Sequence, residues 1–209
     1  VRDPDLRHRL DVLHGAPLPP GADVDRGAMQ RVKRAAEQIE RQASRVTEAA
    51  DAKAPRLSSD EATGLLLAFA YPDRIGQTRG EESGRYLFSG GRGAALPGPS
   101  ALARSEFVVA ADLDAGDREA RIFLAAPLRR ELLEQHLGHL VTTGEEVAWD
   151  ARTQAVVAHR VRRLDALVLD DTPLRNVPAE ATRAAMLDGI RQLGLGALPW
   201  SKDLEQWRA

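Results

Sequence analysis

Few side chains in this sequence are spaced for chemistry. His136 and His139 form an H-x-x-H at helical spacing beside Glu134 and Glu145. With no third ligand placed, the pattern reads as a surface helix and not as a metal site. Serine, histidine and aspartate all occur, but no G-x-S-x-G elbow does, so a catalytic triad is unsupported. No glycine run precedes a Lys-Ser or Lys-Thr pair, and none of Lys33, Lys53 and Lys202 fits a phosphate-binding loop. The absence of cysteine excludes disulfides, thiolate metal sites and a cysteine nucleophile. No catalytic residue and no metal ligand is therefore expected.

Arginines on strand-like segments carry the stronger signal. In the segment 154–164, Arg160 and Arg162 share one face while Val157 and Val161 occupy the other, and Arg163 adds charge on the valine side. Arg85, Arg92 and Arg121 lie on or beside other strand-like segments, and Tyr86 and Phe88 sit among them. Single-strand-binding barrels combine a basic groove with aromatic platforms, so Arg85, Tyr86, Arg92, Arg121, Arg160 and Arg162 are the candidate nucleic-acid-binding residues. Weighed against this, outward arginines on strands commonly only solvate a face, and Phe88 reads as core.

The elements that would position them centre on the stretch Ser83 to Leu96. Arg85 to Ser89 reads as a strand with Tyr86 and Phe88 on one face, running into a Gly90-Gly91-Arg92-Gly93 loop. Upstream the chain is helical. One helix is expected over 4–14 with Gly15 as its stop, and a longer one from about Arg26 to Glu48, capped by Asp23 or Asp25. The long helix carries an apolar stripe of Met29, Val32, Ala35, Ala36, Ile39, Ala43 and Val46 against a mostly arginine face. Residues 49–59 read as a linker, and Ser59 or Asp60 is expected to cap a further helix that stops at Tyr71-Pro72.

Downstream, Glu106–Asp114 and Glu119–Ala126 read as a hairpin around Ala115-Gly116-Asp117. Pro127 opens a helix to about Leu137, and 144–149 with 154–164 form a second hairpin. The order β-β-β-α-β-β suggests a five-stranded OB-like barrel, with an SH3-like barrel or small sandwich as the alternative. Helix returns from Val177-Pro178 to Gly194, and Ser201 caps a last helix through Trp207. The expected class is α+β: helical residues 1–80, an OB-like barrel over 81–170, and a helical C-terminal extension over 171–209.

The length of 209 residues allows one large domain or two small ones, and a formal net charge of −2 points to no particular partner. With aromatics at 4%, the core must rest on Leu, Val and Ala. No run is apolar enough to span a bilayer and no signal segment is evident, so a soluble cytoplasmic chain is expected. Opening at Val1 instead of Met, and closing just after a helical run, the sequence reads as a segment of something longer.

Several ordered stretches together carry a resemblance. Leu65 to Gln77 (LLLAFAYPDRIGQ) is followed by Gly84 to Ala94 (GRYLFSGGRGA), then Val109–Leu113, Ala120–Ile122 and Ala125–Leu128. Glu146–Asp150 and Leu198–Lys202 complete the series, with Ala22–Ala28 in the N-terminal part. This resembles the C-terminal region of HrpB-type bacterial ATP-dependent helicases, relatives of the DEAH-box RNA helicases. The resemblance implies two RecA-like motor lobes upstream that use ATP and magnesium, and a fragment with no enzymatic activity of its own. The fragment would comprise the end of a helical ratchet domain, the barrel and a family-specific extension. Its implied partners are single-stranded nucleic acid, RNA favoured, and its own motor lobes, with a protein-docking or regulatory role as the alternative. By position, Arg85, Tyr86 and Arg92 match the barrel-opening motif, and Asp73 and Arg74 match the preceding helix end. The motif usually carries Asn where Gly90 stands, so the glycine offers no side chain for a contact there.

Overall fold

The computed structural model describes residues 3–46, 57–80, 84–114, 120–198 and 200, and the chain divides into two compact units. Its class is α+β, with helices towards both ends, a closed five-stranded barrel and a second three-stranded sheet.

The first unit, 1–139 with 165–167, opens on a buried aspartate. Asp5 caps α1 (Leu6–Leu13) by accepting from the Arg7 N–H, and its carboxylate also pairs with the Arg7 guanidinium at 2.6 Å. That hydrogen bond raises the Arg7 pKa above its ordinary value. Pro4 does not start the helix. It is buried, and its carbonyl accepts from the Ala125 N–H. The long helix α2 spans Arg26–Val46, with Asp25 accepting from the Ala28 N–H. Most of the expected linker lies outside the described residues. Helix α3 (Ser59–Ala70) begins one residue after Ser58, whose hydroxyl accepts from the Glu61 N–H while Glu61 reaches back to the Ser58 N–H. That backbone donor holds the Glu61 carboxyl below its usual range.

The barrel is built from β1 (Ile75–Thr78), β2 (Arg85–Phe88), β3 (Gly93–Ala95), β4 (Phe107–Leu113) and β5 (Ala120–Leu128), in closed order β1-β2-β3-β5-β4. All neighbours are antiparallel except β3 and β5. Its interior holds Tyr86, Phe88, Ala94, Leu102, Val108, Ala110, Ile122 and Ala125. Each large apolar side chain so buried contributes about 1.5–3 kcal/mol. Helix α4 (Arg130–Leu137) follows and buries Leu132, Leu133 and Leu137.

Five strands are expected and five close the barrel, but they are not the five expected. The barrel lies within 75–128, not 81–170. β1 supplies the fifth strand. At Gly76, opposite Phe88, an added Cβ would lie 2.9 Å from the Phe88 ring, so the glycine makes room for it. β3 starts at Gly93, the last residue of the stretch read as a glycine loop, and Pro127 lies inside β5 instead of opening a helix. With β1 paired to both β2 and β4, no edge remains for the 144–164 hairpin to join.

The second unit, 140–164 with 168–209, contains that hairpin as its own sheet. β6 (Thr142–Asp150), β7 (Ala155–Leu164) and β8 (Leu167–Pro173) lie in the order β6-β7-β8. The Asp150 carboxylate organises the β6–β7 turn by accepting from the Thr153 hydroxyl and the Arg152 N–H, which hold it below the usual carboxylate range. Helix α5 (Ala179–Leu193) ends at Gly194, whose φ of 82° is the left-handed stop anticipated there. The expected turn at 115–117 and the last helix from Ser201 lie outside the described residues.

Candidate nucleic-acid interface

The β2 alternation turns Tyr86 and Phe88 inward and Arg85 outward. Register then places Arg85 opposite Ala95, and Ala95 opposite Arg121. Adjacent strands lie about 4.8 Å apart, so the two arginines flank one small residue at about 10 Å on the outer wall. Both are exposed. Two residues along β5, Phe123 shares the outward face and stands 44% exposed, while Ala120 and Ile122 point into the core.

A second feature sits at one end of the barrel, where Asp73, Arg74, Gly90, Arg92 and Asp114 rim a cleft of about 300 Å³ floored by Phe88 and Leu113. The β2–β3 turn holds Arg92 there. The Gly91 N–H donates to the Phe88 carbonyl, the Phe88 N–H donates to the Arg92 carbonyl, and Gly91 takes φ 84°. The Ser89 hydroxyl donates to the Pro72 carbonyl and the Gly90 N–H to the Asp73 carbonyl, which ties the turn to the residues after α3. Arg74 donates to the Ala111 carbonyl at 3.1 Å and stacks over the Tyr71 ring at 4.8 Å. An added Cβ at Gly90 would lie 3.3 Å from the Asp73 carbonyl oxygen, a close approach that glycine avoids. Positions matched by motif in two separate stretches, Asp73 with Arg74 and Arg92, therefore meet at one cleft.

Tyr86 is a correction. It is fully buried, and its hydroxyl donates to the Leu102 carbonyl at 2.5 Å, so it offers no surface for stacking. Burial pushes its pKa up to about 12. Phe88 is likewise core. The aromatic that does reach the outer wall, Phe123, is not among the residues singled out from the sequence, although period-2 alternation from Arg121 puts it on the same face.

Arg160 and Arg162 also need correction: they stand on β7 of the second sheet, not on the barrel. Arg160 pairs with Glu145 on β6 at 2.9 Å, and Arg162 with Asp170 on β8 at 2.6 Å. On the other face, Arg163 pairs with Glu146 and His159 with Asp171. The β7 arginines thus form a cross-strand ladder with acids on both neighbours, which cancels much of the field a phosphate would feel. His136, from the H-x-x-H, packs edge-on against Phe69 with ring centroids 6.4 Å apart. Among the described residues, no helix is long and apolar enough to cross a membrane.

Comparison with known proteins accounts for both units. Residues 140–174 match the family model for the connector region of ATP-dependent RNA helicase HrpB, and they bracket the β6-β7-β8 sheet. The ATP-dependent RNA helicase HrpB of Escherichia coli (strain K12) is 37% identical over 145 residues, which is 68% of this chain and 18% of that protein. A crystal structure of the E. coli DExH-box NTPase HrpB matches all of this chain at TM-score 0.61 and 29% identity, and a crystal structure of the Escherichia coli DEAH/RHA helicase HrpB does so at 0.59 and 27%. In both, the match covers 23% of the longer chain, so the present chain spans under a quarter of the length of these relatives. The chain belongs to the HrpB family of helicases, as a C-terminal region that includes the connector.

Proposed function

We propose that this chain is the accessory, non-catalytic C-terminal module of an ATP-dependent RNA helicase of the cytoplasm, and that its barrel binds single-stranded nucleic acid. The Arg85–Ala95–Arg121 row is the observation that carries this reading. It sets two guanidinium groups on an exposed strand wall with only a methyl between them. Phosphates bind such a wall without any need for base recognition. The five-stranded closure is consistent with an OB-type barrel, whose second and third strands commonly form the oligonucleotide face. Arg92 and Arg74 extend the positive charge to the end cleft, where Asp73 and Asp114 limit it. RNA is favoured over DNA because the matched relative is named an RNA helicase. ATP and magnesium belong to RecA-like motor lobes outside these residues.

Titration of a labelled single-stranded oligonucleotide at several salt concentrations tests the reading. Binding that weakens steeply with salt, and weakens again with Arg85→Ala and Arg121→Ala, supports it. No binding at low salt overturns it.

A docking role is the second reading, and α2 is the observation behind it. Met29, Val32, Ala36, Ile39 and Ala43 recur at spacings of three and four, the seam of a coiled coil. Val32 and Ile39 stand 49% and 65% exposed. An apolar seam of that kind suits packing against another helical surface, such as the rest of a helicase.

A further inference from the structure

We infer that Phe123 is a base-stacking platform, flooring a nucleobase subsite beside the arginine row; the inference rests on the nucleic-acid reading above. Among the described residues of the barrel strands, the other aromatics, Tyr86, Phe88 and Phe107, are buried. Phe123 instead forms part of a groove of about 580 Å³ with Asp3, Pro4, Arg9, Pro97 and Pro99. That volume accommodates a nucleotide.

The groove is built before any ligand arrives. One wall is the segment Asp3–Asp5, fixed to β5 by the Ala125 N–H donating to the Pro4 carbonyl at 2.8 Å and by a parallel bridge from Asp5 to Ala125. The other wall is the loop Pro97–Ser100, tied to the first by the Ser100 hydroxyl donating to Asp3 Oδ1 at 2.9 Å. Preorganised walls spare a ligand the ordering cost of shaping its own site. Asp3 is the one acid among the lining residues, and it is engaged by Ser100, by the Asp5 N–H and by His8 at 3.1 Å.

The chemistry of the groove fits a base attached to a phosphate. An aromatic face and proline rings offer flat apolar planes, and every base has a π-face to lay on them. Arg121 lies two residues from Phe123 on the same strand face, about 7 Å along β5. Arg9 adds a second guanidinium at the groove itself. A single strand can then place a base over Phe123 while its backbone meets Arg121.

The test compares a fluorescein-labelled oligoadenylate with an abasic strand of the same length, both titrated into the whole chain. Phe123→Ala is expected to weaken oligoadenylate binding about tenfold, the ordinary cost of removing one stacking platform. It should leave the salt slope and the abasic strand's affinity unchanged. Phe123→Leu, which keeps apolar bulk without a π-face, should weaken binding as alanine does, and Phe123→Trp should restore it. The thermal midpoint of each variant, unchanged for an exposed position, separates a binding defect from a folding defect. If Phe123→Ala binds oligoadenylate like the parent while Arg121→Ala weakens it, the stacking inference fails and the nucleic-acid reading stands. If neither strand binds the parent at low salt, the underlying reading fails as well. Displacement of the groove's occupant by a polyproline peptide, with Phe123→Ala affecting only the peptide, would overturn the inference in favour of a peptide site.

Discussion

Gly189 of α5 lies directly against the indole of Trp149 on β6: a Cβ added at 189 would sit 2.3 Å from Cδ2 and 2.6 Å from Cε3. Those atoms belong to the fused ring and not to a flexible tip, so the contact has no easy relaxation. Trp149 Nε1 is also buried without a hydrogen-bond partner, so the indole is held by packing alone. Gly189→Ala gains about 1 kcal/mol of helix propensity but overpacks the site by about 1–3 kcal/mol. We expect a net loss of about 1 kcal/mol, read as a lower denaturant midpoint. Trp149→Leu should relieve the clash, so the double variant loses less than the two single losses together. Additive losses would show that the contact is not what sets the helix on the sheet.

In the first unit Gly64 plays the same role with less tolerance. A Cβ there would stand 2.0 Å from the Pro127 carbonyl oxygen and 3.1 Å from its carbon, both backbone atoms of β5. Helix α3 can accept a side chain only by lifting off the barrel, where Leu65 and Ala68 are buried. Gly64→Ala should cost about 3 kcal/mol, the upper end for overpacking. Gly138→Ala is the control, because nothing lies within 4 Å of its would-be Cβ and its φ is −56°. It should change stability by less than about 1 kcal/mol.

Strong local signals are legible in the sequence and pairing partners are not. The Asp25 cap and Gly194 mark helix ends through bonds that close within a few residues, whereas the cap of α3, expected at Ser59 or Asp60, is Ser58. β1 is four residues with a glycine in it, and β3 is three, so neither shows enough alternation to be read. Both exist because of partners far along the chain, Gly76 under Phe88 and Ala95 between Arg85 and Arg121. The same limit governs the site. Arg85 and Arg121 can be named from sequence as outward arginines, but only register places them in one row. Arg160 and Arg162 look equivalent to them, since the acids that pair with them on β6 and β8 are set by the fold. Tyr86 is legible as core, because alternation sets it on the face of Phe88, which reads as core; naming it a stacking residue sets that signal aside.

Tyr86 predicts a pH dependence. Its phenol is neutral in both states below about pH 10, the unfolded value. Above that the unfolded chain releases the proton while the buried phenol holds it until about pH 12. The unfolded state then binds fewer protons, so stability falls as pH rises from about 10 towards 12. Tyr86→Phe should abolish this component of the alkaline loss. At neutral pH it should cost about 1–2 kcal/mol, because the Leu102 carbonyl is deprived of its hydroxyl donor within the core. Chemical denaturation across that pH range checks both parts. An unchanged alkaline slope in the variant would assign the loss to other groups.

The two arginine sets should separate in a salt titration. For single strands, each phosphate that is no longer neutralised lowers the slope of log K against log salt by about 0.7. Arg85→Ala with Arg121→Ala should therefore reduce the slope by about 1.4, whichever base composition the strand has. Arg160→Ala with Arg162→Ala should leave the slope nearly unchanged, because Glu145 and Asp170 already neutralise those guanidinium groups. The second pair should register in stability instead, by at most about 1 kcal/mol per cross-strand pair. Glu145→Gln sharpens the comparison, since it releases Arg160 from its acid without removing the cation. If nucleic acid passes over β7, that variant binds more tightly than the parent; if the barrel wall carries the strand, its affinity stays where it was. Equal slope reductions from both double variants would show that the β7 ladder opens to admit phosphate, and the interface would then have to include both sheets.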